Sequence, residues 1–151
     1  MTTIVNGLDE LRSKVGEHLG YSDWLEVTQE RVNQFADATG DHQWIHVDPE
    51  RAKTGPFGGA IAHGYLTLSL APYLLGSTFQ VNGISMGVNY GLNKLRFPAP
   101  VPVGSKVRVG AQLAGVEDIA GGAQVTIDLT FEVDGQEKPA CVAQAVYRYY
   151  A

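Results

Sequence analysis

Ala60-Ile61-Ala62-His63-Gly64-Tyr65-Leu66-Thr67-Leu68-Ser69-Leu70-Ala71-Pro72-Tyr73-Leu74-Leu75 is apolar almost all the way round a helix. A helix without a polar stripe must be surrounded by protein. This one is interrupted by His63, Gly64 and Pro72 and is too short and broken to span a bilayer comfortably. Something else in the chain has to cover it. Downstream the period changes from helical to twofold. Val107, Val109, Ala111 and Leu113 alternate with polar or small residues, and Val125, Ile127, Leu129, Phe131 and Val133 alternate with Thr126, Asp128, Thr130 and Glu132. That is the pattern of half-buried antiparallel strands. Ala120-Gly121-Gly122 and Asp134-Gly135 supply turns between them. Cys141 to Tyr150 is apolar on both faces, as in a central strand, and Gly83 to Leu92 offers one more. The helix and the sheet each need a cover. The expected class is therefore α+β, an antiparallel sheet wrapped around one long central helix.

Upstream, Asn6 can cap a first helix carrying Leu8, Leu11 and Val15. Trp24, Leu25 and Val27 suggest a short strand. Thr28 then caps a second helix with Val32, Phe35 and Ala36 on its inner face, and Gly40 ends it. Asp48-Pro49 restarts a short helix, which leaves Gly40 to Val47 as a loop. The 151 residues suit one domain, 1–151, with a short N-terminal helical extension. The composition is that of a globular protein, 44% hydrophobic and 18% charged. A net charge of -5 without a basic cluster argues against nucleic acid as a partner. Cys141 stands alone and cannot form an intrachain disulfide, and Met1-Thr2-Thr3-Ile4 lacks the features of a signal peptide. A reducing, cytoplasmic setting is expected.

The chemistry-bearing residues lie just before the apolar helix. Gly40-Asp41-His42-Gln43-Trp44-Ile45-His46 puts a carboxylate and an imidazole on one short connection. Ala62-His63-Gly64 follows at the head of the helix, where a glycine lets a ligand approach a backbone N–H. An acid–base pair and such an N–H are the parts needed to move a proton and hold a developing oxyanion. The plainer alternatives are a local cap for Asp41, a buried polar contact for His46 and close packing for Gly64. A metal site at His42 and His46 would need both on one helical face, which Gly40 and Asp48-Pro49 oppose, and no third ligand stands nearby in the sequence.

Gly83-Ile84-Ser85-Met86-Gly87 matches a serine-nucleophile pattern, but Val88-Asn89-Tyr90 continues as a strand where that motif needs a helix. Cys141 in an alternating strand reads as a core residue. Lys94-Leu95-Arg96-Phe97-Pro98-Ala99-Pro100-Val101-Pro102-Val103-Gly104 is either an edge strand running into a stiff loop or a rim whose Lys94 or Arg96 meets a phosphate.

Taken together, three segments in this order resemble the MaoC-like (R)-specific enoyl-CoA hydratases, in the short nodulation-protein-N-like branch. They are Phe35-Ala36-Asp37-Ala38-Thr39-Gly40-Asp41 with His46 and Ala52, then Ile61-Ala62-His63-Gly64, then Phe97 to Gly104. The resemblance runs from about Trp24 onward. It implies a hot-dog fold, assembly as a homodimer, and reversible addition of water to trans-2-enoyl-CoA to give (R)-3-hydroxyacyl-CoA. Asp41 and His46 would hold and polarise the water, and the Gly64 N–H would bind the thioester oxygen. Ala62, His63, Asn89, Lys94 and Arg96 are the candidate substrate-binding residues, with Tyr65, Leu66 and Phe79 as candidate lining. No metal or cofactor is expected, because the substrate carries its own coenzyme A. No membrane partner is expected. Gln43-Trp44 stands where many members have Asn-Pro. The rivals are a hot-dog acyl-CoA thioesterase, a dehydratase acting on acyl carrier protein, and a non-catalytic acyl-CoA-binding protein.

Overall fold

The computed structural model describes residues 2–151. In chain order the elements are β1 (Thr3–Asn6), α1 (Gly7–Ser13), β2 (His18–Tyr21), β3 (Leu25–Glu26), α2 (Gln29–Thr39), α3 (Trp44–Val47) and α4 (Pro49–Ala52). Then come α5 (Gly64–Ser69), α6 (Ala71–Leu75), β4 (Phe79–Asn82), β5 (Met86–Arg96), β6 (Lys106–Ile119), β7 (Gly122–Val133) and β8 (Cys141–Tyr150). The main sheet runs β2-β6-β7-β8-β5 in space, antiparallel throughout, with β3 pairing the start of β6. A separate parallel pair joins β1 to β4.

The alternating positions do what their pattern requires. Val107 faces Val133, Val109 faces Phe131, Ala111 faces Leu129 and Leu113 faces Ile127 across the β6–β7 ladder. All of them are buried, and they form one core with Leu66, Leu70, Ala71, Leu74 and Leu75 of the helix. Irregular register after Leu113 in β6, and twice in β5, bends the sheet around that helix.

The helix differs from the sequence expectation in three ways. Ala60 to His63 is not helical: Ile61 bridges to Pro102, and the Ala62 N–H donates to the Val101 carbonyl at 2.8 Å. The helix begins at Gly64 and is interrupted at Leu70. Pro72 has no N–H to give the Leu68 carbonyl, although Leu70 N–H to Leu66 (3.1 Å) and Leu74 N–H to Leu70 (3.0 Å) keep the axis continuous. Nor is the helix enclosed all round in one chain, since Tyr65 and Tyr73 are 64% and 72% exposed.

Other differences are local. Helix α1 stops at Ser13 and leaves Val15 exposed, while the Asn6 side chain makes no capping bond. Strands β1, β2 and β4 are four residues each, too short for a twofold period to show. The loop expected over residues 40–47 contains a helical turn, α3. No helix among the described residues is long and apolar enough to cross a membrane.

Candidate active site

Helix α2 sets the position of Asp41. The Thr28 hydroxyl accepts the Arg31 N–H at 3.1 Å, and Val32 and Ala36 are buried on the inner face. Gly40, at φ +84°, returns its N–H to Ala36 and turns the chain out of the helix. Asp41 follows on the exposed side, its Oδ1 accepting the Gln43 N–H at 3.4 Å. Trp44 then opens α3 at the first helical position, where proline also fits well. Its ring lies 4.3 Å under the Arg51 guanidinium and against Gly55, where a Cβ would meet it at 3.0 Å.

The same turn sends His46 inward and His42 outward. His42 is exposed and pairs with Asp37 at 3.0 Å, a bond that raises its pKa above the usual 6.5. His46 is 6% exposed, and its Nδ1 lies 2.7 Å from the Ile61 carbonyl. A carbonyl only accepts, so Nδ1 carries the proton and Nε2 keeps its lone pair. Burial lowers the His46 pKa below 6.5, and the neighbouring His63 adds to the effect; the Ile61 bond and the Asp41 charge oppose it. The backbone is held as well: Gln29 Nε2 donates to the His46 carbonyl at 2.8 Å, and the Ile61 N–H to Ile45 at 3.0 Å.

His63 closes the group from the helix side. Its ring stacks on His46 with centroids 3.9 Å apart, and its Nε2 lies 2.9 Å from the Asp41 carbonyl. Asp41, His46 and His63 thus offer donor atoms within 4.8 Å of one another, a trio that differs from the His42–His46 pair considered from spacing. Stacked imidazoles aim their lone pairs along near-parallel planes. A single ion could not lie in both ring planes without opening the stack.

A cavity of about 480 Å³ adjoins the trio, lined in part by His46, Gly64, Thr67, Phe97, Val101 and Ala140. The N–H groups of Leu66 and Thr67 both donate to the His63 carbonyl, whereas the Gly64 N–H has no acceptor among the described residues. Glycine leaves room there: a Cβ would sit 3.0 Å from the Phe97 ring, which would have to shift. A neutral imidazole and a free N–H thus border one apolar-walled space; the Asp41 carboxylate does not line it, but an oxygen of it lies within 4.8 Å of a ring nitrogen of His46. Such a site can take a proton from water and hold an oxyanion.

The other candidate residues are spread more widely. Ala62 and Tyr65 line this cavity. Asn89 lines a second cavity of about 350 Å³ between α5–α6 and β5–β8, Phe79 a third beside α6, and Lys94 a fourth of about 370 Å³ with Asp128 and Gln144. Arg96 folds onto its neighbour's carbonyl, Leu95, at 2.7 Å. Leu66 packs in the core. Within one chain, Asn89, Lys94 and Arg96 do not join the His46 cavity. Ser85 donates to the Tyr150 carbonyl at 3.1 Å, tying down a strand end, and burial pushes the Cys141 thiol up to about 12. The Ile61 carbonyl, Phe57 and Ala140 went unnoticed in the sequence. Only the bridge between residue 61 and Pro102 brings the first into place, and no local pattern announces it.

Comparison with known proteins gives a consistent picture. Residues 10–134 match the family model described as MaoC like domain. The chain is 59% identical over 143 residues to "3-hydroxyacyl-thioester dehydratase Z" of Mycobacterium tuberculosis (strain ATCC 25618 / H37Rv), covering 94% of this chain and 95% of that one. It is 43% identical to "Nodulation protein N" of Rhizobium leguminosarum bv. viciae, covering 90% and 86%. Among solved structures it resembles the (R)-hydratase from A. caviae involved in PHA biosynthesis, with a TM-score of 0.72, 26% identity, and 88% and 94% of the two chains covered.

Proposed function

The chain belongs to the MaoC-like domain family, with its hot-dog fold, and from that premise we propose that it is an (R)-specific hydratase/dehydratase of acyl thioesters. It adds water to a trans-2-enoyl thioester to give the (R)-3-hydroxyacyl thioester, and runs in reverse. Coenzyme A is the proposed carrier. The observation that carries the reading is the neutral His46 and the free Gly64 N–H on one cavity, with an Asp41 carboxylate oxygen within 4.8 Å of a His46 ring nitrogen.

Water is a weak nucleophile toward an enoyl thioester. In this mechanism His46 Nε2 takes a proton from water as the oxygen bonds to C3. The C2–C3 π electrons shift toward the thioester oxygen, where the Gly64 N–H stabilises the enolate-like charge. One donor of that kind is worth about 3 kcal/mol of barrier. C2 then receives a proton from the Asp41–His46 pair, so water is added with no net acid or base consumed. The thioester itself is the electron sink, and the scheme calls for neither metal nor cofactor. Asp41 orients the water and shares in proton delivery. The family's hydratase/dehydratase chemistry disfavours the thioesterase alternative.

A homodimer completes the proposal. β5 is an edge strand of eleven residues bonded only to β8, and Met86, Val88, Tyr90 and Leu92 on it are exposed. Pairing with a second copy would cover them. A cytoplasmic location fits a buried, unpaired Cys141.

The test is a substrate panel. Incubation with crotonyl-CoA should bleach the enoyl-thioester absorbance band and release no thiol. Free thiol from saturated acyl-CoA would reassign the protein as a thioesterase, and tight binding without turnover would make it a binder. Faster turnover on carrier-protein-bound substrate would replace coenzyme A in the scheme.

A further inference from the structure

His63 occupies the N-cap position of α5, yet its side chain caps nothing in that helix. It reaches 22 residues back instead, to the Asp41 carbonyl. Because the carbonyl accepts, Nε2 carries the proton and Nδ1 is left with a bare lone pair. That Nδ1 is buried and has no partner among the described residues. A buried polar atom without a partner costs stability, so its presence calls for a reason. The residue is 3% exposed and does not line the 480 Å³ cavity, which argues against direct contact with substrate.

We propose that His63 is a positioning residue: through Nε2–H it holds the Asp41 peptide, and through its ring it holds the His46 imidazole. The proposal rests on the hydratase reading and explains how that site stays assembled. Asp41 sits on an exposed connector, and its other hydrogen bonds are long, at 3.4 and 3.5 Å, so the 2.9 Å bond from His63 is the shortest made to this residue. The stack fixes the second ring. His46 is then clamped in two directions, by the Ile61 carbonyl in its plane and by His63 on its face. The ionisable groups facing His46 are the Asp41 carboxylate, on the α2–α3 connection, and His63 itself.

Two variants separate the two contacts. His63→Phe keeps a ring for the stack and removes the donor. His63→Gln keeps an amide donor and removes the ring. Each is read by kcat and KM on crotonyl-CoA, by the unfolding midpoint, and by NMR titration of the His46 imidazole without substrate. His63→Phe should lower kcat about 10- to 100-fold with KM within about threefold, as expected when a reacting group is mispositioned. His63→Gln should recover part of that kcat and raise the His46 titration midpoint, as water reaches the unstacked ring. Wild-type kcat and an unmoved midpoint in both variants would overturn the proposal. So would losses of kcat that simply follow a lowered unfolding midpoint while the His46 titration stays put. If the wild-type protein hydrates nothing, the functional reading fails, and the His46 titration still judges the role of His63.

Discussion

In the proposed mechanism His46 must be neutral to accept a proton, and its surroundings favour that state. Burial and the stacked His63 outweigh the pull of Asp41. The acid limb of kcat/KM for hydration should therefore fall below pH 6.5, the ordinary imidazole value. A pH–rate profile checks this, and a limb above 6.5 would show that His46 is not the group losing activity. Stability follows the same linkage. The unfolded chain takes up this proton first as pH drops. The contribution is therefore complete above 6.5 and shrinks as pH falls toward the lower, folded value. His42, raised by Asp37, works in the opposite sense, which makes the kinetic limb the cleaner reading. Residues 41, 46 and 64 stand out in the sequence as candidates because acid–base chemistry uses few kinds of group. The tautomers were not legible, since they depend on the carbonyls of Ile61 and Asp41, and carbonyls leave no mark in a sequence.

Elements were readable in proportion to their length and regularity. β6, β7 and β8 repeat their pattern over ten residues or more, and α2 announces both its ends with Thr28 and Gly40. The four-residue strands carry no such repetition; β1 exists because β4 lies alongside it. The apolar run at 60–75 packs on the sheet through its leucines, but it is helical only from Gly64 onward. Ala60 to His63 spends its hydrogen bonds on Val101, Val103 and Ile45, which pulls it straight and puts Gly64 at the start of the helix. β5 makes the clearest demand for a partner. Its free edge predicts a particle of two 16.3 kDa chains by size exclusion with light scattering. Val88→Lys with Leu92→Lys should shift it toward one chain. A wild-type monomer at micromolar concentration would contradict the pairing.

At the scale of the molecule, the curved sheet holds the helix, the helix start holds His63 and Gly64, and the end of α2 and the turn α3 deliver Asp41 and His46 against them. That assembly was half visible beforehand. The fold class and the pair at 41 and 46 could be read, whereas the spread of Asn89, Lys94 and Arg96 away from the His46 cavity could not. Strand alternation gives a face, but it does not say which cavity that face borders. The proposed chemistry depends on the Asp41–His46 pair doing the proton transfer inside an otherwise unchanged scaffold. Asp41 is exposed, whereas His46 is buried, so the fold of each variant is checked beside its activity. The most direct measurement is crotonyl-CoA hydration by Asp41→Asn and His46→Gln, with chiral analysis of the wild-type product and circular dichroism of all three proteins. The account predicts an (R)-3-hydroxyacyl product and losses of at least about 100-fold in each variant, with native spectra retained. Near wild-type turnover in either folded variant, or an (S) product from the wild type, would contradict it.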